Sequence, residues 1–280
     1  MGTKELEKKS SGGGLVAAWK QNPLVSTGLV LILMIVVQTA IMIYNFGEGS
    51  VGELLLSLLT NWLNILRNNA PVGIIALGMT FVIISGGIDL SVGSTLVAVG
   101  AMVMMVVDGS ATGLLAGMGI TGVPAYIIAI AVGLVFGALL GWLNGVLIAH
   151  GKLPPFIATL GTMSVFRGIA YVVTGGWPVL NIPDAYRKSL GAKVIGDVPI
   201  SIFVLFAIAV IAHILLKKTR FGNYLFAVGG NEEAAKLSGV NVDRTKILAY
   251  SMCGFCVAFA GMIMLANLGT GEPATGQGYE

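Results

Sequence analysis

The chain reads as a series of long apolar blocks separated by short polar punctuation. The blocks run 24–44, 70–85, 91–107, 124–150, 156–174, 199–216 and 247–268, and Arg167 is the one Lys, Arg, Asp or Glu inside them. A helix needs about 20 apolar residues to cross the hydrocarbon core of a bilayer, so the pattern predicts about seven membrane-spanning helices. The second and third blocks are short and are parted by Gly86-Gly87. The stretch 47–69 differs, holding Glu48, Glu53 and Arg67 while Leu54, Leu55, Leu58, Trp62 and Ile65 fall on one side. That spacing predicts an amphipathic helix lying at the membrane surface. The first block is long for a signal peptide and no small-x-small site closes it, so it reads as a retained span. The expected fold class is therefore all-α: a polytopic transmembrane helical bundle with a broken, re-entrant membrane segment. Residues 1–23 form a cytoplasmic tail in this reading, and 24–280 the transmembrane domain.

Composition supports lipid as the main solvent. Hydrophobic residues make up 56% of the chain and charged residues 10%, against about 25% charged in an ordinary soluble domain. The net charge of +3 is small and unevenly placed. With the N-terminus in the cytoplasm, the inner segments collect Lys4, Lys8, Lys9, Lys20, Lys152, Lys217, Lys218, Arg220, Lys236, Arg244 and Lys246, and the outer ones Arg67, Arg187, Lys188 and Lys193. The bias of Lys and Arg toward cytoplasmic loops favours that orientation. The outer loop 175–198 runs against it, with three basic residues beside Asp184 and Asp197. No basic stripe with interleaved aromatics appears, which argues against nucleic acid as a partner.

Three motifs carry the candidate chemistry. The first is GMTFVIISGGIDLSVGS at 78–94. An aspartate within a membrane block is costly. Here Gly86 and Gly87 can break a helix, and Asp89 or Ser91 can cap the next one. Broken helices are tolerated in membranes where they line a cavity or are buried in protein. Gly86, Gly87, Asp89, Leu90 and Ser91 are thus either a chain-reversing turn or part of a translocation pathway, and the two roles are compatible. The second is the polar stretch 217–246, within which a short helix can be read: Asn231 as N-cap, Glu232 and Glu233 in the first turn, Ala234, Ala235, Lys236 and Leu237 propagating, and Gly239 as the stop. Too short to persist by propensity, it needs packing, and docking on a cytoplasmic partner explains it better than a rest on lipid. The third is a ridge of Gly133, Gly137, Gly141 and Gly145, whose four-residue spacing lets helices approach closely, within the chain or between subunits.

Other chemistry is argued against. HGKLPPF at 150–156 lacks the glycine and the Ser or Thr of a phosphate loop. If ATP powers this protein, another chain binds it, with its magnesium. Cys253 and Cys256 have a redox-like spacing but sit inside an apolar block, where cysteine packs as a small hydrophobe. His150 and His213 have no carboxylate or thiol at ligand spacing. No nucleophile–base constellation suggests an enzyme.

At these motifs the chain resembles the permease subunits of ribose- and galactoside-type ABC importers. The matching stretches are IALGMTFVIISGGIDLSVGS (75–94), PFIATLGTMSVFRGIA (155–170), TRFGNYLFAVGGNEEAAKLSGVNV (219–242), YSMCGFCVAFAGMI (250–263) and GQGYE (276–280). The resemblance implies a bundle paired with a second permease subunit and with ABC ATPase subunits, fed by an extracytoplasmic solute-binding protein. It implies no cofactor in this chain. It maps the family's cytoplasmic coupling helix onto 229–239, with Gly229, Gly230, Asn231, Glu232, Glu233, Ala234, Ala235 and Gly239, and the family signature near the pathway onto Gly86, Gly87, Asp89, Leu90 and Ser91. Family permeases continue past a sequence like GYE with further spans, so the chain is expected to be shorter than its relatives. The leading expectation is an importer subunit for a monosaccharide or similar polar solute. The rivals are an ion-coupled secondary transporter, for which Asp89 is the only plausible intramembrane acid, and a membrane scaffold.

Overall fold

The computed structural model describes residues 23–47, 50–108, 114–177, 183–191, 193–195, 198–272 and 274–279. The expected tail up to residue 22, with Glu48, Asp197 and Glu280, lies outside the described residues. The helices are α1 (Pro23–Asn45), α2 (Val51–Ile84), α3 (Val92–Val107), α4 (Val123–Ala149), α5 (Pro155–Thr174), α6 (Asp184–Gly191), α7 (Ile200–Lys218), α8 (Arg220–Gly230), α9 (Glu232–Leu237) and α10 (Val242–Leu268). A 3₁₀ turn at Ala116–Met118 and a two-stranded antiparallel ribbon, β1 (Lys193–Ile195) with β2 (Val198–Pro199), complete the described elements. The chain forms two compact units, Met1–Trp62 and Leu63–Glu280.

In the first unit, α1 is apolar and largely exposed along its length. The start of α2 is fixed by a reciprocal cap: the Ser50 amide donates to Glu53 Oε2 at 2.9 Å, and the Glu53 amide to Ser50 Oγ at 3.3 Å. This arrangement satisfies two donors that a helix start leaves orphaned. The surface segment expected at 47–69 is not a separate element, because its helical part belongs to α2, which runs on to Ile84. Pro71 lies inside it and removes one backbone donor. Four residues earlier the Arg67 side chain is anchored, Nε donating to Asn267 Oδ1 on α10 at 3.1 Å.

The second unit is organised around α10, which packs most extensively on α4 and also on α3. The glycine ridge of α4 makes this close approach possible. An ideal Cβ on Gly137 would lie 2.6 Å from Ala258 Cβ, one on Gly145 2.6 Å from Ile247 Cα, and one on Gly141 would overlap the Tyr250 carbonyl oxygen. Gly254 of α10 answers from the other side, where a Cβ would overlap the Gly137 carbonyl. Gly133 is turned toward both α10 and α3, meeting Met262 and Val103. Among the described residues, then, the ridge is occupied by contacts within the chain.

Six helices among the described residues are long and apolar enough to cross a membrane: α1, α2, α4, α5, α7 and α10. The block at 91–107, expected as a span, forms α3, a helix of 16 residues in which all but Met102 and Met105 are buried. It is enclosed by α4, α5 and α10. Its apolar character thus serves protein packing, a use that a continuous apolar run does not distinguish from contact with lipid.

Candidate functional site

α2 stops at the Gly-Gly pair through two hydrogen bonds: the Gly86 amide donates to the Ile83 carbonyl at 3.0 Å, and the Gly87 amide to the Val82 carbonyl at 3.0 Å. This is the closure that a left-handed residue after a helix permits, and Gly86 supplies it with φ +79°. Gly87 has a different role. Its backbone lies against the Tyr250 ring, and a Cβ there would overlap the Tyr250 hydroxyl. That hydroxyl donates to the Ile88 carbonyl at 3.1 Å.

Asp89 and Ser91 begin the return. Asp89 Oδ1 accepts from the Ser91 amide at 2.9 Å and from the Ser91 hydroxyl at 2.6 Å. Ser91 occupies the N-cap position of α3 but makes no side-chain cap bond. Asp89 therefore ties down the residue before the helix, where capping of the first turn was expected. The tie continues across the bundle. Asn144 Nδ2 on α4 donates to Ser91 Oγ at 2.7 Å and approaches Asp89 Oδ1 at 3.5 Å, while Asn144 Oδ1 accepts from the Thr162 hydroxyl on α5 at 2.6 Å. All four side chains are buried. Asp89, Ser91, Asn144 and Thr162 thus form one polar network joining the helix break to two further helices. Leu90 is half-buried beside it. Asn144 and Thr162 were missed from sequence, although a lone asparagine inside an apolar membrane block is itself a signal for an interhelical hydrogen bond.

The second predicted site lies in the polar segment after α7. The polar stretch predicts a helix only from Asn231 onward, but α8 forms before it, capped by Thr219, whose Oγ1 accepts from the Gly222 amide at 3.3 Å. Gly222 is needed for proximity, since a Cβ would overlap the Leu216 carbonyl. α9 follows after one residue. Asn231 Oδ1 accepts from the Ala234 amide at 2.9 Å. At the other end Gly239, with φ +84°, lets its own amide reach Lys236 and the Val240 amide reach Ala235, both at 3.0 Å. Packing holds this six-residue helix: Ala235 is buried against Val228 and Val242. Glu232 is pinned to Lys246 of α10, Oε2 to Nζ 2.6 Å. Glu233, Ala234 and Leu237 face outward, Leu237 being 90% exposed.

The two sites adjoin. Ser85, Gly86 and Gly87 share a cavity of about 360 Å³ with Gly229, Gly230, Asn231 and Glu232. Among the described residues, no cluster of three or more His, Cys, Asp or Glu could hold a metal ion. Cys253 and Cys256 are free thiols buried in the face of α10 that meets α2, beside Met79 and Gly78.

An interrupted helix pair held by buried polar groups, inside a bundle of apolar helices, defines a multi-pass, all-α membrane protein. The chain belongs to the family described as the permease component of the branched-chain amino acid transport system, whose model matches residues 61–280. It is similar to the ribose import permease protein RbsC of Bacillus subtilis, 43% identical over 79% of this chain and 65% of that protein. The RbsC of Escherichia coli K12 is 38% identical over 79% and 66%. The xylose transport system permease protein XylH of Haemophilus influenzae is 31% identical over 91% and 80%. The chain thus spans about two thirds of the length of the ribose permeases it matches (65% for the Bacillus subtilis protein). No solved structure matches it.

Proposed function

We propose that the chain is the membrane-spanning subunit of an ABC importer for a monosaccharide or a similar small polar solute. It works in the cytoplasmic membrane with its N-terminus inside, beside a second permease subunit. ATPase subunits bind ATP and magnesium on the cytoplasmic face, and an extracytoplasmic binding protein delivers the solute. The observation that carries this reading is α9: a short helix fixed at both ends and to α10, with Leu237 left 90% exposed. An apolar side chain held out from a rigid, basic-flanked segment suits docking into a cleft of a partner protein. The Lys and Arg bias favours the cytoplasmic side for that segment, where an ATPase would be met. The names of the relatives support the solute class.

In this mechanism ATP binding draws the partner ATPases together and moves α9. The bundle then exchanges an outward-open for an inward-open arrangement, as differential contacts in the two states require. Gly86, Gly87, Asp89, Leu90 and Ser91 line or gate the pathway. The binding protein sets selectivity.

The test is a doubly substituted chain, Glu233→Pro with Gly239→Val. Proline at 233 pushes Glu232 out of helical backbone, and valine at 239 cannot hold φ +84° without strain. The expected result, in vesicles with the ATPase present, is normal membrane insertion with uptake reduced at least about tenfold, the loss when a short helix without propensity of its own is deformed. Full uptake by the double variant would remove α9 as the docking element.

A further inference from the structure

The segment 229–239 and the helix break adjoin, and their contact is closer than a shared cavity requires. A Cβ on Gly229 would overlap the Ile84 carbonyl oxygen, the last carbonyl of α2, and would lie 3.6 Å from the Gly86 amide nitrogen. The end of α8 therefore rests on the backbone of the break with no side chain between. A second route runs along α10. Glu232 of α9 holds Lys246, whose side chain is 19% exposed. One turn on, at i+4 and so on the same helix face, Tyr250 is buried and holds the Ile88 carbonyl while filling the space beside Gly87.

We propose that α8 and α9 are seated directly on the helix break, and that Lys246 and Tyr250 are the positioning residues through which displacement of α9 reaches Gly87 and Ile88. This rests on the reading of α9 as the ATPase-docking helix, and it adds what that helix acts on. Two contacts hold the break from this side: the backbone seat at Gly229, which sets its position, and the Tyr250 hydroxyl, which sets the orientation of the Ile88 peptide. Moving Glu232 pulls Lys246, and Tyr250 turns with it because both belong to one rigid helix. The side of the break away from α8 and α9 is tied to α4 and α5 through Asn144 and Thr162, so the pull is resisted and the break bends as a hinge.

The experiment is hydrogen exchange on the full chain in nanodiscs, followed at the amides of 86–91, for Tyr250→Phe, Lys246→Met and Lys246→Arg. Tyr250→Phe removes one hydrogen bond to the break, and faster exchange by up to about tenfold is expected there. Lys246→Met should act in the same direction, Lys246→Arg should restore slow exchange, and combining Tyr250→Phe with Lys246→Met should do less than the product of the two, since they share a route. Lys152→Met breaks a second ion pair to α10, Lys152 to Asp243 at 3.2 Å, and should leave exchange within about twofold because that pair is exposed. Unchanged exchange at 86–91 in both Tyr250→Phe and Lys246→Met overturns the proposal, as does an equal rise in Lys152→Met, which would mean general loosening. A second arm measures ATP hydrolysed per D-ribose taken up by membranes holding the chain with its ATPase, expected to rise about fivefold in Tyr250→Phe with ATPase recovery unchanged. If exchange responds as expected but no ATPase co-purifies with the unaltered chain, the importer reading fails and the seat on the break stands.

Discussion

Replacing Gly141 with leucine is expected to abolish the folded bundle rather than to weaken it. The Gly141 Cα already faces the Tyr250 backbone, and even a methyl group would overlap the Tyr250 carbonyl oxygen and lie 3.2 Å from Gly254 Cα. Backbone on a packed helix cannot yield as a side-chain tip can. Overpacking in a close-packed interior costs about 1–3 kcal/mol where side chains can shift, and the leucine should exceed that range because α4 and α10 must separate. Separation also takes Gly137 and Gly145 out of contact, so the loss spreads along the whole seam. Fluorescence-detected size exclusion in detergent, with a thermal melt of the recovered protein, checks this. Leu139→Ala is the control on the same helix, since Leu139 is 53% exposed and should change the melt little. A leucine variant that stays monodisperse with an unaltered melt would mean the two helices do not approach as closely as the ridge allows.

The second large effect is expected at the polar network. Asn144→Leu removes the donor to Ser91 Oγ and the closer acceptor of the Thr162 hydroxyl, which keeps only the Thr159 carbonyl at 3.2 Å, and takes a neighbour from Asp89, all at buried positions. A buried hydrogen bond contributes about 0.5–1.5 kcal/mol, so losing two should cost about 1–3 kcal/mol or reorganise the break. Asp89→Leu should be comparably severe. Asp89→Asn should be milder, because its amide oxygen still accepts from the Ser91 amide. The network also predicts non-additivity: Asn144→Leu should cost less in an Asp89→Leu background than alone. Thermal midpoints of the four variants, paired with uptake assays, give the comparison. Equal and complete loss of uptake in Asp89→Asn and Asp89→Leu, with both folded, would point to a proton or sodium relay at Asp89 and revive the ion-coupled rival.

The helix class, the interruption at Gly86-Gly87 and the caps of α9 were legible because each depends on residues within one turn of each other. Asn231 reaches Ala234, and Gly239 closes on Lys236. What the sequence hid was long-range. The partner that makes Gly87 indispensable is Tyr250, whose hydroxyl meets the neighbouring Ile88 carbonyl across 162 residues. No local pattern separates the left-handed role of Gly86 from the clearance role of Gly87. Asn144 stood in a block so apolar that its amide looked incidental until Ser91 and Thr162 were beside it. The run Arg67-Asn68-Asn69 before Pro71 has the look of a helix boundary, yet α2 continues, with Arg67 finding its acceptor on α10. α8 was obscured by Gly222 and Gly229, which lower helix propensity but are required where carbonyls of Leu216 and Ile84 come against the chain.

The buried position of α3 sets an order of assembly during synthesis. At 16 residues and about 1.5 Å per residue it is about 24 Å long, short of the ~30 Å hydrocarbon core. It carries Ser94 and Thr95 among its buried groups, so partitioning alone gives it a weak hold on lipid. Two of its enclosing helices, α4 and α5, emerge soon after it, but α10 begins at Val242, on the order of ten seconds later at ribosomal rates. Over that interval Asn144 and Thr162 are already available to Asp89 and Ser91, while the side that α10 will cover is open. The polar network is therefore the glue of a half-built bundle, and its first service comes before the protein is complete.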